Sequence, residues 1–288
     1  MEDKMSKVKN VVVAIDTSIM ANEVLKRAFD FANKDIVLHI VHCIDIPWIN
    51  KLKEKKDIVL QTKRKLKESI KKLNKENKPF KLIVKKGTPS TVIVKEAKKL
   101  DAKLIIIGAY SKENLKTKIL GSNAHNIAQK SNLPVLIVKN MFVEKYSNAI
   151  AFTDLSKVSK KSIKFTQKFF KDLDIKLVHA SKKISEFALD FYKINDQTDF
   201  LIKEAKKQKQ KEIDKFKKDI CINDIEVLEK SGSYNEALLS YANKEDKDLV
   251  ILGSRGVKTA SSMLFGSKSS FLMKSVSSDV LVYVPLTK

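Results

Sequence analysis

The sequence predicts an α/β chain made of two tandem domains, each a five-stranded parallel sheet with helices on both faces. Three observations carry this expectation. Short runs such as Val11-Val12-Val13-Ala14-Ile15 and Leu104-Ile105-Ile106-Ile107 lack polar alternation, which is the pattern of strands buried on both faces. Amphipathic, Lys-rich segments of helical period separate these runs. The whole pattern then occurs twice. Gly87, Gly108 and Gly121 return as Gly232, Gly253 and Gly266 at an offset of 145 residues, whereas Asp16 and Asp154 are 138 apart. The difference places about seven extra residues between the second and third strands of the second copy. Domains are expected at 1–141 and 146–288, with a short linker between them.

In the first copy the strand 11–15 ends in Asp16-Thr17-Ser18, and a helix is expected over 18–32. The apolar run 37–42 follows, then a Lys-rich amphipathic helix over 53–77. A third apolar segment stops at Gly87, and Thr88-Pro89 is expected to cap and begin a helix over 88–100. The strand 104–108 leads to a helix over 121–130, and Pro134 opens the strand 135–138. The second copy repeats the series. Its strand 149–153 ends in Asp154-Leu155-Ser156, followed by a helix over 156–171 and the strand 175–179. A long charged helix over 185–221, broken near Asn195, comes next. Helices over 233–244 and 266–275 then flank the strand 249–253, and the strand 280–283 ends the series.

Composition narrows the function classes. The 288 residues are 43% hydrophobic and 32% charged, with few Gly and Pro, so disorder and fibrous classes are excluded. Two Cys without a CxxC spacing suit a reducing compartment, and no apolar run reaches membrane-spanning length. A cytoplasmic location with no membrane partner is the expectation. The net charge of +23 comes almost wholly from Lys, since Arg occurs only at Arg27, Arg64 and Arg255. Sequence-reading nucleic-acid sites favour Arg for its planar fork, so nucleic acid is disfavoured as a partner. A non-enzymatic polyanion binder stays open as an alternative function. The Lys-rich stretches 51–78 and 203–218 read as solvated amphipathic helices. His39, His42, His125 and His179 read as structural, Cys43 and Cys221 as buried hydrophobes, and Trp48 as a packing residue.

In open parallel sheets, ligands collect at the carboxyl ends of the strands. Asp16 and Asp154 close first strands there, and Gly108 and Gly253 close fourth strands. The second copy reads Gly253-Ser254-Arg255-Gly256, nine residues, then Gly266-Ser267 at a helix start. Glycines allow close backbone approach, and a helix N-terminus offers free N–H groups to an anion. This duplicated pattern, over nearly the whole chain, resembles tandem universal stress protein domains. The Gly-x2-Gly-x9-Gly-Ser motif of the family's nucleotide-binding form is complete at 253–267.

The resemblance implies Rossmann-like domains of strand order 3-2-1-4-5 and a bound adenine nucleotide, usually ATP, with or without Mg. Carried onto the second copy, Asp154 and the backbone at Ala180 would meet adenine. Gly253 and Gly256 would flank ribose and phosphates, and Gly266, Ser267 and the Lys268 amide would hold phosphates. Arg255 would add positive charge. The first copy offers Asp16, Cys43, Gly108, Ser111, Gly121 and Ser122. Its Ser111 replaces the second glycine and Tyr110 adds bulk, so weaker or no binding is expected there. Asp16 reads equally as a helix cap.

The implied role is an ATP-binding stress or regulatory protein with little or no turnover. Slow ATP hydrolysis, or autophosphorylation at Ser267, is the most chemistry expected. An adenylate-forming enzyme is the remote alternative, because no glycine-rich loop follows either first strand. Family members pair through the fifth strand, so either internal domain pairing or a homodimer is expected.

Overall fold

The computed structural model describes residues 9–44, 55–110, 117–182, 197–230, 233–245, 247–254 and 266–285. The expectations placed on Trp48 and on a helix break near Asn195 lie outside these residues. The chain divides into two compact units, one of residues 1–145 with 279–288 and one of residues 146–278.

In the first unit the strands are β1 (Lys9–Ile15), β2 (Ile36–Ile44), β3 (Phe80–Lys86), β4 (Leu104–Gly108) and β5 (Val135–Val138). The helices α1 (Met20–Phe31), α2 (Lys55–Leu73), α3 (Pro89–Lys99) and α4 (Ser122–Lys130) connect them. The sheet order is β3-β2-β1-β4-β5, all parallel. β1 lies at its centre, and Val11, Val12 and Val13 are wholly buried. That burial explains the unbroken apolar run, since helices cover both faces of the strand.

The last strand of the chain, β10 (Asp279–Tyr283), groups with this unit. It runs antiparallel to β5 with Val280 opposite Ile137 and Val282 opposite Val135. Asp279, 1% exposed, accepts the N–H groups of Lys139 (2.8 Å) and Asn140 (3.0 Å), and Arg27 of α1 approaches its other oxygen at 3.9 Å.

The second unit holds β6 (Asn148–Thr153), β7 (Asp174–Lys182), β8 (Ile225–Lys230) and β9 (Leu249–Gly253). Its helices are α5 (Lys157–Phe169), α6 (Gln197–Ile220), α7 (Tyr234–Lys244) and α8 (Ser267–Ser275). Here the parallel order is β9-β6-β7-β8. The inserted residues of this copy fall between β7 and β8, where α6 lies.

Two expectations need correction. Thr88 occupies the cap position of α3, yet its side chain makes no capping bond. Pro89 has removed one donor, and the N–H groups of Thr91 and Val92 bond the Thr88 carbonyl instead. Of the two cysteines expected to be buried, Cys43 is only partly buried and Cys221 is exposed. The latter follows Ile220 at the end of α6 with φ +55°, a left-handed turn that swings its side chain away from the face Ile220 buries.

Candidate functional site

Each unit places an aspartate where its first strand ends. Asp154 Oδ1 accepts the Ser156 N–H at 3.0 Å, and Asp16 Oδ1 accepts both the N–H (2.9 Å) and the hydroxyl (2.5 Å) of Ser18. These are local turns in which a short carboxylate substitutes for backbone. Ser156 is the true cap of α5, accepting the Ser159 N–H at 3.2 Å, and α1 begins only at Met20. Asp16 is therefore no helix cap. Both carboxylates are exposed, each with one oxygen outside the turn bonds.

The next strand braces each turn through a histidine. His179 Nδ1 lies 2.8 Å from the Thr153 carbonyl, and His42 Nδ1 lies 3.0 Å from that of Ile15. A carbonyl only accepts, so each Nδ1 carries the hydrogen. Burial holds His179 below the ordinary histidine range, opposed by its bond to Thr153. These are the structural roles expected of both rings. His39 likewise bonds Asn10 through Nε2 at 3.0 Å. No group of three or more metal-ligating side chains occurs among the described residues.

In the second unit these parts surround a cleft of about 270 Å³. Asp154, Ala180, Gly253, Gly266, Ser267 and Lys268 all line it. Arg255 and Gly256 lie outside the described residues. Gly253 packs closely on α5: a Cβ there would sit 3.3 Å from Val158 Cγ1, and that side chain would have to give by a few tenths of an ångström. Gly266 stands at the start of α8 with no side chain capping it, so first-turn N–H groups open toward the cleft.

Three features were not anticipated from sequence. Ser269 donates its hydroxyl to the Gly253 carbonyl at 2.7 Å, tying α8 to the end of β9. The Lys268 ammonium lies 4.4 Å from the centre of the Tyr234 ring, which holds that charge at the rim. The Ser254 hydroxyl is buried and has no hydrogen-bond partner among the described residues. The Gly-Ser pair signals a loop, but only the fold shows its hydroxyl buried.

The first unit repeats the frame. Asp16, Cys43, Gly108, Gly121 and Ser122 line a cleft of about 620 Å³, together with Tyr110, which is 8% exposed. Ser111 lies outside the described residues. Here Ala109 and Asn123 stand where the second unit has Ser254 and Lys268. The first cleft is thus built at the same strand ends and helix start but is more than twice as large, and it lacks that hydroxyl and that cation.

Several known proteins are similar to this chain in sequence or in fold. Over 90 residues the chain is 39% identical to universal stress protein MJ0577 of Methanocaldococcus jannaschii, covering 31% of this chain and 54% of that protein. It thus spans about half the length of that relative. A putative universal stress protein of Pseudomonas aeruginosa UCBPP-PA14 shares the fold over 99% of this chain and 96% of its own, with a TM-score of 0.71 at 17% identity. A universal stress protein from Archaeoglobus fulgidus, solved in complex with dAMP, aligns at 27% identity over 47% of this chain and 100% of its own, with a TM-score of 0.36. The universal stress protein family itself matches twice, over residues 7–139 and 145–284. With nearly every residue inside one match or the other, the chain belongs to the universal stress protein family as a tandem, two-domain member.

Proposed function

We propose that this protein is an adenine-nucleotide-binding regulator that holds ATP mainly in the cleft of its second domain, with little or no turnover. The domains are taken as 1–141 and 146–288. The observation that carries the reading is the convergence of Asp154, Gly253 and the uncapped start of α8 on one cleft. The residues present suit such a ligand. The N-terminus of α8 provides N–H donors and a positive dipole end for phosphate. The Ser254 hydroxyl, buried without a partner among the described residues, is a donor awaiting an acceptor. Asp154 keeps an oxygen that can accept from an exocyclic amine. A bound triphosphate would carry any Mg on its own oxygens, with few protein carboxylates needed.

The test begins with mass spectrometry of the supernatant from denatured full-length protein, where ATP or another adenine nucleotide is expected. Asp154→Ala should weaken ATP affinity by about tenfold, the effect of one good polar contact. Asp16→Ala should change it less than twofold. Equal losses from both variants would overturn the preference for the second domain. ATP hydrolysis above a few turnovers per hour would overturn the regulatory reading in favour of a slow ATPase.

A further inference from the structure

The first unit carries a second concavity, away from the Asp16 cleft, between α2 and the edge strand β3. It measures about 520 Å³. Lys63, Lys67 and Lys71 line it from α2, and Lys78 lines it from the turn before β3. Pro79, Phe80 and Leu82 give it an apolar floor. No carboxylate lines it among the described residues. The acids nearest in sequence are engaged: Glu68 faces Arg64 at 3.6 Å and Glu76 meets Lys78 at 3.1 Å.

The wall opposite the helix is fixed. Asn74, 6% exposed, donates to the Lys78 carbonyl at 2.7 Å and accepts the Lys78 N–H at 2.9 Å. The Lys78 ammonium donates to the Phe29 carbonyl at 2.5 Å. Facing this wall, three exposed lysines stand four residues apart on one face of α2. Like charges at that spacing repel, and an anion seated between them relieves the repulsion.

The spacing indicates the kind of anion. At about 1.5 Å rise per residue, successive lysines stand roughly 6 Å apart and the row spans about 12 Å. A single phosphate meets one rung, whereas a chain of phosphates meets all three. Lysine supplies point charges rather than a planar fork. Among the described residues no Arg lines the recess and Phe80 is its one aromatic ring, so it offers neither the guanidinium fork of base readout nor a row of stacking platforms. We propose that the α2–β3 recess binds a linear inorganic phosphate chain, separately from the nucleotide cleft.

Full-length protein titrated with inorganic polyphosphate near physiological salt should bind it, and orthophosphate should fail to compete. Lys63→Gln/Lys67→Gln/Lys71→Gln should lower polyphosphate affinity roughly tenfold or more, since three charge contacts are removed. A charge-matched variant on α6, Lys206→Gln/Lys211→Gln/Lys215→Gln, should change it less than twofold. Circular dichroism would verify that both variants fold. Equal losses from the two variants would reduce the binding to diffuse attraction by the net charge and overturn the proposal. So would tighter binding of a single-stranded oligonucleotide with the same number of phosphates. Displacement of polyphosphate by saturating ATP would place the ligand in the nucleotide cleft and overturn it as well. The proposal does not depend on the nucleotide reading, because Asp154→Ala is expected to leave polyphosphate binding unchanged.

Discussion

At the scale of single residues, the least expected group is Lys139. It is 5% exposed, just past β5, beside Asp279. Burial pulls its pKa down to about 8, against the opposing pull of Asp279. An ordinary unfolded lysine titrates near 10.4. Between these values the unfolded chain holds a proton that the folded chain has released, so stability rises with pH across that window. Below about 8 both states are charged and the desolvation cost is felt in full. Thermal denaturation from pH 8 to 10 should therefore show a rising melting temperature, and Lys139→Met should flatten that rise. A slope unchanged in the variant would assign the effect elsewhere. Nothing in the sequence marks Lys139 as special among so many lysines, because its burial depends on a strand from the far end of the chain.

At the scale of elements, two helix starts that look alike in sequence behave differently. Ser156 caps α5 through its side chain, whereas Thr88 caps α3 through its backbone alone. Ser156→Ala should cost about 1 kcal/mol in denaturant unfolding. Thr88→Ala should cost only a few tenths, since no capping bond is lost. Comparable losses from the two would contradict the observed bonding. Much of the element order was legible because continuous Val/Ile runs and helical periodicity are local signals. That Asp154, Gly253, Gly266 and Ser267 would meet at one cleft was legible for a related reason: strand ends and helix starts can be counted along the chain. Its fine structure was not. The Ser269 bond to Gly253 spans 16 residues, and Lys268 meets Tyr234 from 34 residues away. Such pairings depend on the packing of α8, β9 and α7, which no local pattern encodes.

At the scale of the whole molecule, the outer edge of β5 is covered by β10 from the same chain. An apolar strand edge left open is a template for pairing with another chain. The full-length protein is expected to be monomeric by light scattering. A chain ending at Ser278 should melt lower and self-associate, because it loses both the cover on β5 and the Asp279 bonds to Lys139 and Asn140. A truncated chain that stays monomeric would show that β5 needs no cover.

That same pairing also sets a clock. The residues of β10 emerge from the ribosome about 140 residues after those of β5, an interval of roughly 7–30 s at ordinary elongation rates. Throughout that interval the nascent first unit has its own parallel strands but an uncovered β5. A chaperone that shields apolar strand edges during synthesis would find its opportunity there, and slow codons between the two strands would lengthen it.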